Sequence, residues 1–528
     1  MSKQSRSVVL VGFQDQGNLG LGYLTGVLQE HGFTCETIDI NRGPDEILKC
    51  VTLHDPLIIG FSLIFQYYLP KFAALAEYLQ TRGVDCHMTV GGHYPSLCHE
   101  QILNQIPQFD SVVLFEGEYT LLELAQHLAN HEDWRDTRGI AYRQNGRTVL
   151  NPLRPLLSNL DVLPFPYRPS FASETLGKKI QPILATRGCA RNCVFCSIRE
   201  FYSRAPGKRV RRRSPANVVA EMKVLHEDND VSIFLFQDDD FPVIGNAGNR
   251  WVTSFIEELD RNGLIGKVAW KISCRVDEIN ENLFAKMRDA GLYSVYLGIE
   301  SGTTDGLQTL NKQVSTDDIL QALVTLKRLG IMFAYGFMLF DPGSTFDSVR
   351  ANVRFLNQIV GDGSAPVVFC KMLPYAGTPI SETLETAGRL RGTIVQPDYD
   401  FLDPALDDFY SKLNTALNAW VYGEDAVSHY LNLAWHEVAI IKQLFPPIKN
   451  IERYEIDLRD LTSESNSRVL AAVELSASAF EREREFPLCT KTLDIQAAET
   501  IKRMLERRNA FVYLNQDRML ASLRSAAA

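Results

Sequence analysis

Two long stretches of the chain alternate short β-branched runs with segments of helical periodicity. In the first stretch, from Ser7 to about Asn130, the runs are SVVLVG, TCETIDI, PLIIGFSL, HMTVGG and SVVLFEG. Alternation of this kind builds a parallel, doubly wound sheet, which binds its ligand at the carboxyl ends of the strands. We therefore predict an α/β protein whose first domain, residues 1–135, is Rossmann- or flavodoxin-like.

The second alternating stretch begins at residue 181, after a proline-rich segment, NPLRPLLSNLDVLPFPYRP, that predicts an ordered linker over 136–180. Its β-like runs are QPILATR, SIFLFQ, KVAWKISC, YSVYLGI, MFAYGFMLF and PVVFCKML. Six βα units over 181–395 predict a partial (βα)6 barrel of the TIM type, with its chemistry at the carboxyl ends of the strands. Residues 396–528 are mainly helical in pattern, and we expect them to cap the substrate site.

Composition and charge exclude several classes of protein. The chain has 528 residues and a net charge of -10, and proteins that bind nucleic-acid backbones usually carry a basic face. No apolar run approaches the roughly 18 residues of a membrane helix, and the first residues do not read as a signal peptide. We expect a soluble, cytoplasmic protein without a nucleic-acid or membrane partner. In such a compartment the ten cysteines are reduced thiols or metal ligands.

Three of these cysteines lie directly after the first barrel strand. Cys189, Cys193 and Cys196 have the spacing Cys-x3-Cys-x2-Cys, with which three thiolates can hold a [4Fe–4S] cluster and leave the fourth iron without a protein ligand. That iron can chelate the amino and carboxylate groups of S-adenosylmethionine (SAM), and one electron can then break the sulfonium bond to release a 5'-deoxyadenosyl radical. A structural zinc site would need a fourth ligand, which is not nearby, and buried thiols are the other alternative.

The triad and the later strand ends resemble the radical SAM superfamily. In that family the aromatic residue before the last cysteine packs against adenine, the acidic motif of FQDDDFP approaches the SAM amino group, and the end of GIESG contacts the ribose and carboxylate. A solvated acidic turn is the alternative for FQDDDFP. The SAM-binding residues that the resemblance implies are Phe195, Asp238, Asp239, Arg275, Glu300 and Ser301.

The first domain placed before this barrel resembles the cobalamin-dependent (class B) radical SAM enzymes, and the resemblance covers about residues 7–400. It depends on the phrases GFSL, GGHYPS, EGEYTLLEL and LDVLPFPYRP. The D-x-H-x-x-G motif that gives cobalt a histidine is absent, so the lower face of the corrin would meet Leu63, Ile64 and Phe65. His93 could be a cobalt ligand, but a histidine in such a position more often makes a hydrogen bond in a turn. The cobalamin-binding residues that the resemblance implies are Gln14, Asp15, Gly17, Ser62, Leu63, Ile64, Phe65, Gly91, Gly92, His93, Glu116, Gly117 and Glu118.

A plain doubly wound domain with tight turns is the alternative for any single one of these loops. A second cluster, as in methylthiotransferases, would need another cysteine triad. The remaining thiols are instead scattered along the chain, at Cys35, Cys50, Cys86, Cys98, Cys274, Cys370 and Cys489. The expected cofactors are therefore one [4Fe–4S] cluster, SAM and cobalamin.

The resemblance implies a reaction class. We expect C-methylation of an unactivated carbon in a small-molecule or peptide natural product, through methylcobalamin and the 5'-deoxyadenosyl radical, with a flavodoxin- or ferredoxin-type electron donor. Members of the same family that cyclise, rearrange or oxidise without methyl transfer remain an alternative. A non-catalytic cobalamin or redox sensor and a structural zinc protein are alternatives of other classes. The pattern identifies no catalytic acid or base.

Overall fold

The computed structural model describes residues 6–14, 17–168, 173–445 and 447–524. The chain forms two compact units. Unit 1 comprises Met1–Ser173, Gln181–Glu221 and Pro374–Asp398, and unit 2 comprises Glu174–Ile180, Met222–Leu373 and Tyr399–Ala528. Over the described residues, no helix is both long enough and apolar enough to span a bilayer.

Strands and helices alternate through most of the chain. The strands are β1 (Ser7–Gly12), β2 (Thr34–Asp39), β3 (Ile58–Ser62), β4 (His87–Gly91), β5 (Ser111–Val113), β6 (Ile140–Gln144), β7 (Arg147–Leu150), β8 (Ser173–Thr175), β9 (Lys178–Ile183), β10 (Thr186–Arg187), β11 (Arg211–Arg212), β12 (Val231–Phe236), β13 (Ala269–Cys274), β14 (Leu292–Glu300), β15 (Met332–Phe340), β16 (Cys370–Lys371), β17 (Leu390–Gly392) and β18 (Pro397–Tyr399). The helices are α1 (Leu19–Glu30), α2 (Pro44–His54), α3 (Leu69–Thr81), α4 (His93–Leu97), α5 (His99–Gln105), α6 (Glu118–Ala129), α7 (Ser197–Arg204), α8 (Pro215–Asn229), α9 (Gly245–Arg261), α10 (Glu281–Asp289), α11 (Thr304–Thr309), α12 (Thr316–Leu329), α13 (Phe346–Val360), α14 (Pro379–Thr386), α15 (Pro404–Ala416), α16 (Val427–Leu444), α17 (Ile451–Glu483) and α18 (Thr490–Arg524).

The first sheet has the order β2-β1-β3-β4-β5-β6-β7, and β1 to β5 are parallel. Alternate residues of β1 enter different cores: Val8 and Leu10 belong to one apolar cluster, Val9 and Val11 to another. Both faces of the sheet are therefore covered, as in doubly wound proteins. The order 2-1-3-4-5 is the flavodoxin-like order, whose ligands bind where the strand order reverses beside β1. The predicted fold of the first domain is confirmed.

Two antiparallel strands lie within the segment predicted as a linker. β6 and β7 form a hairpin at the edge of the first sheet, beside β5. Its two-residue loop is Asn145-Gly146, with φ angles of 51° and 75°, the type I′ geometry that Asn-Gly favours. The sheet therefore continues past residue 135, and an Asn-Gly pair between alternating residues was the sequence signal for it.

The second sheet has the order β16-β15-β14-β13-β12-β9-β8, and neighbouring strands from β12 to β16 are parallel. β9 and β12 to β16 are the six strands of the predicted partial barrel. One face of this sheet is buried under helices, with Trp270, Ile272 and Phe333 almost fully covered. On the opposite face Lys271 and Ser273 are only partly covered, so that face is open to a ligand. The helices α15 to α18 form the predicted helical C-terminal region, and α16 packs on β13, β14 and β15.

A buried network of ion pairs stabilises unit 1. Arg187 donates to Glu118 at 2.6 Å and to Glu116 at 3.2 Å, and Arg211 donates to Glu116 at 2.7 Å. All four side chains are at most 10% exposed. The glutamates follow β5, whereas the arginines are paired neighbours in the antiparallel strands β10 and β11. Arg187 lies two residues before Cys189. The network therefore fixes the segment that carries the cysteine triad to the end of the first sheet.

The charges of this network sustain one another. Burial alone would raise the pKa of Glu116, but the guanidinium groups of Arg187 and Arg211, with the hydrogen bond from the Leu157 N–H at 2.9 Å, hold this pKa below its usual value. Burial likewise opposes the charge of Arg187, but Glu118 and Glu116 raise its pKa well above the usual value. Glu116 and Arg187 are therefore both charged at neutral pH.

We predict that Glu116→Gln destabilises unit 1, because Arg211 then lies buried without a carboxylate. Removing one partner of a buried pair costs about 3 kcal/mol, or roughly 6–12 °C in the thermal midpoint of a domain of this size. In Glu281→Gln, the control, the lost partner is the exposed Arg328, and the expected cost is about 1 kcal/mol or less. Calorimetry or circular dichroism measures both variants.

The stability difference between Glu116→Gln and the parent depends on pH. The lowered pKa of Glu116 contributes stability above its unfolded value, and this contribution is lost as the pH falls through the folded pKa. The gap between Glu116→Gln and the parent should therefore close in acid. A gap that widens in acid, or an equal effect of Glu281→Gln at neutral pH, contradicts the role of the network.

Candidate functional site

The cysteine triad lies on the loop between β10 and α7, in unit 1. Gly188 opens the loop with a φ of 84°, and a Cβ there would come within 2.1 Å of the Arg209 carbonyl oxygen, so only glycine fits. The Arg191 N–H donates to Cys189 Sγ at 3.5 Å, and the Cys196 N–H donates to the Cys193 oxygen at 3.4 Å. Cys196 is also the N-cap of α7, where the positive end of a helix stabilises a thiolate.

None of the three cysteines is in a disulfide bond; Cys193 is buried, and Cys189 and Cys196 are partly exposed. In the described part of the chain, no three His, Cys, Asp or Glu side chains converge as they would around a single metal ion. A cubane cluster differs from a single ion because each cysteine binds a separate iron. Three cysteines on one short loop, with an N–H donor to a sulfur, are a donor set that fits a [4Fe–4S] cluster. Phe195, on the same loop, is partly exposed.

The loops after β3 and β4 are held together by backbone hydrogen bonds. The Leu63 N–H donates to the Gly91 oxygen at 2.9 Å, and the Tyr94 N–H donates to the Ile64 oxygen at 3.2 Å. Gly92 has a φ of 116°, and a Cβ there would lie 2.3 Å from the Leu63 oxygen. The structure thus brings the predicted residues Ser62, Leu63, Ile64, Gly91 and Gly92 together at the carboxyl end of the first sheet.

An exposed apolar surface, here called the aromatic platform, follows β3. It consists of Ile64, Phe65, Tyr67 and Tyr68, which are 37–40% exposed. Phe65 and Tyr67 are stacked, with ring centroids 5.4 Å apart and planes at 8°. An exposed apolar patch of this kind marks a binding site, and a flat one fits a planar macrocycle such as corrin. Tyr67 and Tyr68 are residues that sequence reasoning missed, although QYY follows GFSLIF directly.

The other residues predicted to bind cobalamin have different surroundings. Leu63 is fully buried, and the carboxylates of Glu116 and Glu118 are held by arginines. The ring of His93 packs on Phe201 with centroids 4.4 Å apart, and burial lowers its pKa to about 4, so this imidazole is neutral. Gly117 lies between the two glutamates, and a Cβ there would contact the side chains of Val113 and Leu24.

Gln14 and Gly17 line a pocket at the start of α1, and Asp15 lies outside the described residues. The pocket is also lined by Asn18, Leu19, Tyr167, Arg168, Gln181 and Pro182. Gln14 Nε2, Arg168 Nε and Gln181 Nε2 are buried there without a hydrogen-bond partner. These donors suit an acceptor such as an amide or phosphate oxygen. Sequence reasoning missed Arg168 and Gln181, because they come from the linker and from β9.

The second group of predicted residues lies in unit 2. Glu300 ends β14 with a φ of 70°, and the Ser301 N–H bonds back to the Ile299 oxygen at 3.0 Å, which makes a strained γ-turn. The Glu300 carboxylate pairs with Lys312 at 3.2 Å. A Cβ on Gly336, in the next strand, would lie 2.7 Å from the Tyr296 hydroxyl and 3.3 Å from Glu300. The glycine therefore leaves a cradle beside Glu300.

The neighbouring strand ends support this carboxylate. Arg275, after β13, donates to Asp277 at 2.9 Å and to the Lys312 carbonyl oxygen at 2.7 Å, so it positions the residue that pairs with Glu300. Ser301 is fully buried and lies 3.4 Å from Asn352 Oδ1. Asp238, after β12, is buried and Asp239 is exposed. The polar groups and the cradle fit a ligand with amino, carboxylate and hydroxyl groups, as SAM has.

Two further residues of the open sheet face were not predicted. Tyr296 is 40% exposed, and burial of its hydroxyl, with the charge of Glu300, raises its pKa to about 12. Lys271 lies two residues before Ser273 on the same face, and burial lowers its pKa. Both lie in strands whose alternation the sequence showed, but alternation alone does not say which face is open.

Comparison with known families identifies two domains. The B12 binding domain family matches residues 6–125, and the radical SAM superfamily matches residues 183–356. The first match covers the flavodoxin-like sheet, and the second covers the triad and the strands from β12 to β15. A chain with these domains uses cobalamin, a [4Fe–4S] cluster and SAM.

Individual relatives match this chain over almost three quarters of its length. An uncharacterized methyltransferase of Pyrococcus horikoshii is 27% identical over 74% of this chain and 82% of its own length. An anaerobic magnesium-protoporphyrin IX monomethyl ester cyclase of Rubrivivax gelatinosus is 25% identical over 73% of this chain and 69% of its own length.

Among solved structures, the cobalamin-dependent SAM radical enzyme OxsB with aqua-cobalamin bound has a TM-score of 0.66 at 16% identity, over 98% of this chain and 83% of that one. This likeness is one of fold. The two domain matches, in this order along one chain and on this fold, place the protein among the cobalamin-dependent radical SAM enzymes.

Proposed function

We propose that this enzyme methylates an unactivated carbon of a small-molecule or peptide natural product. The observation that carries the proposal is the Pyrococcus relative, which is named a methyltransferase and which this chain matches over 82% of its length. When bound, the cluster with SAM supplies a 5'-deoxyadenosyl radical that takes a hydrogen atom from carbon, and cobalamin supplies the methyl group. The protein's contribution is to hold these groups and to exclude competing reactions.

In this proposal Cys189, Cys193 and Cys196 hold the cluster, and Phe195 on the same loop packs against the adenine of SAM. The geometry of the loop supports this assignment. Gly188 allows the turn, and the ion pairs of Arg187 with Glu116 and Glu118 fix the chain just before the first cysteine. A pre-positioned loop binds a cluster without having to lose conformational entropy at that moment.

In unit 2, Glu300 and Ser301 are proposed to contact the SAM ribose and carboxylate, and Asp238 and Asp239 its amino group. The cradle at Gly336 and the charged pair of Glu300 with Lys312 support this assignment. Arg275 is proposed to act through Lys312, because its own guanidinium is already bound to Asp277 and to a carbonyl oxygen. Its proposed role is therefore to position, not to touch, the ligand.

In unit 1, cobalamin is proposed to bind over the aromatic platform and the glycine pair Gly91-Gly92. Ser62, Ile64 and Phe65 would line the lower face of the corrin, with the buried Leu63 packed beneath them, and Gln14 and Gly17 would line its edge. The neutral His93 packs on Phe201, which favours a packing role near the cofactor over ligation of cobalt. Glu116, Gly117 and Glu118 are proposed to support the site from behind, through the ion pairs with Arg187 and Arg211.

A second candidate function has its own observation. The Rubrivivax relative is named a cyclase and matches nearly as much of this chain as the methyltransferase does. In a cyclisation or oxidation the same radical removes the same kind of hydrogen atom, but no methyl group is transferred. The two candidates therefore share every proposed site residue and differ in their products.

We predict that anaerobically reconstituted protein absorbs at roughly 400 nm and forms 5'-deoxyadenosine from SAM with dithionite. Cys193→Ala should lose both properties, because two thiolates do not retain the cluster. Cys489→Ala, at an exposed cysteine outside the triad, is the control and should keep both. Iron and sulfide analysis, absorption and chromatography of the products measure the outcome. Zinc in place of iron in the parent would contradict the proposal.

We predict that Gly92→Ala weakens cobalamin binding about tenfold or more, because its methyl group would push Leu63 out of the loop. Gly83→Ala is the matched control: Gly83 also has a positive φ, of 83°, but a Cβ there meets no atom within 4 Å. Titration with hydroxocobalamin, followed by the corrin spectrum, gives both affinities. Equal affinity in the two variants would argue against a corrin site at the glycine pair.

An isotope label on the methyl group of SAM distinguishes methylation from cyclisation. With SAM that carries a deuterated methyl group and with a metabolite extract as the substrate source, methyl transfer should yield a deuterium-labelled product. It should also form one S-adenosylhomocysteine for each 5'-deoxyadenosine, because one SAM donates the methyl group and another the radical. Mass spectrometry reads both. Consumption of a metabolite with 5'-deoxyadenosine but with neither label nor S-adenosylhomocysteine would favour the cyclase alternative.

A further inference from the structure

Basic residues are concentrated in the segment that carries the triad. Residues 187–213 contain nine Lys or Arg and a single Glu, whereas the whole chain has a net charge of -10. Such a local reversal of charge in an acidic protein needs a reason, because like charges close together repel one another.

Three of the nine basic residues are explained by the interior of unit 1. Arg187 and Arg211 are neutralised by Glu116 and Glu118, and Arg213 pairs with Glu221 at 2.5 Å with both side chains at most 3% exposed. These arginines stabilise the fold and present no charge to a partner.

The other basic residues reach the surface. Arg204 and Lys208 are exposed and Arg209 is partly exposed; these three residues are here called the basic face. Arg191, Arg199 and Arg212 are also partly exposed. Two carboxylates compensate part of this charge: Glu200 lies 3.3 Å from Arg204 and 3.0 Å from Arg199, and Glu382 lies 3.6 Å from Arg204. Arg204 is thus locally balanced, whereas the guanidinium of Arg209 donates to uncharged oxygen atoms and Lys208 is exposed, so the surplus positive charge lies at these two residues.

The basic face lies directly against the triad loop. Arg209 donates to the Ala190 oxygen at 2.6 Å and to Asn192 Oδ1 at 3.3 Å, both between the first two cysteines. Its own carbonyl oxygen is the atom that excludes a side chain at Gly188. A protein bound to this face is therefore only a few residues from the cysteines, and electron transfer becomes much faster as the distance shortens.

We propose that the basic face is the docking surface for an acidic one-electron carrier protein that reduces the cluster. This proposal rests on the proposed function of the triad. The carrier, a flavodoxin- or ferredoxin-type protein, gives up one electron and is oxidised, and the cluster is reduced by the same electron. Complementary charges raise the rate at which such partners meet and orient them for transfer.

Nucleic acid is the other macromolecule that a basic face attracts. Single strands are usually held by basic grooves that also offer exposed aromatic rings for stacking. The exposed aromatic side chains of the described residues are Phe65, Tyr67, Tyr68, Tyr167, Tyr296 and Tyr513, and none lies in 187–213. The contact with the triad loop and this lack of stacking surface favour the electron carrier.

The test compares two reductants on the same variants. Lys208→Glu reverses a charge at an exposed side chain, and Lys208→Ala only removes it. With an acidic bacterial flavodoxin, kept reduced by its NADPH-dependent reductase, Lys208→Glu should form 5'-deoxyadenosine about tenfold more slowly at low salt, and Lys208→Ala should be intermediate. With dithionite, a small reductant that needs no docking surface, both variants should match the parent.

Lys502→Glu is the control, since Lys502 is 75% exposed on α18 and the change in net charge is identical. It should match the parent with both reductants. Added salt should slow the flavodoxin reaction of the parent, because the Debye length falls to about 10 Å at 0.1 M, and should affect Lys208→Glu less.

Several results would overturn the docking surface. One is a normal flavodoxin rate in Lys208→Glu, and another is an equal loss with dithionite, which would show damage to the triad loop. A third is binding of labelled RNA that Lys208→Glu abolishes while flavodoxin kinetics stay unchanged. A parent that forms no 5'-deoxyadenosine even with dithionite would instead refute the function of the triad itself.

Discussion

The ion pairs of Arg187 and Arg211 with Glu116 and Glu118 are the interaction on which the organisation of unit 1 depends. Four charges with at most 10% of their side chains exposed are stable only as a complete set, since an unpaired charge in such a place is very unfavourable. These pairs therefore favour the arrangement of the chain that keeps them together. In that arrangement, the end of the B12 binding sheet and the start of the triad loop are fixed to each other.

This constraint has a functional meaning. A loop that binds a cluster must hold three thiolates at fixed positions, yet the triad loop is short and contains no helix or strand. Gly188 allows its sharp entry, Arg209 holds its outer side through Ala190 and Asn192, and Arg187 anchors its base. The basic residues that look like excess charge in the sequence thus divide into two groups: buried arginines that fix the loop, and exposed residues that we propose bind an electron carrier.

The fold was predictable from the sequence to a large degree, because parallel strands buried on both faces give continuous apolar runs such as SVVLVG. The hairpin β6–β7 was missed because a proline-rich neighbourhood outweighed the Asn145-Gly146 pair. Among candidate site residues, the triad was predicted from its spacing alone. Tyr67, Tyr296, Arg168 and Gln181 were not predicted, because they become candidates only once it is known which face is open and which segments meet in space.

Glu116 and Glu118 show the opposite case. They lie in a segment, EGEYTLLEL, that resembles a cobalamin-binding loop. Their carboxylates are nevertheless bound by arginines that lie 69 to 95 residues further along the chain. A sequence pattern marks such residues as special without saying whether they touch a ligand or the protein. Only the tertiary contacts distinguish the two.

In the proposed function, the triad holds a cluster whose fourth iron binds SAM. The most direct measurement is an electron–nuclear double resonance spectrum of the reduced, reconstituted protein with SAM labelled with ¹⁵N at its amino group. A ¹⁵N hyperfine coupling to the cluster spin is the predicted result. A reduced cluster with normal spectra but no such coupling at saturating SAM would contradict the account.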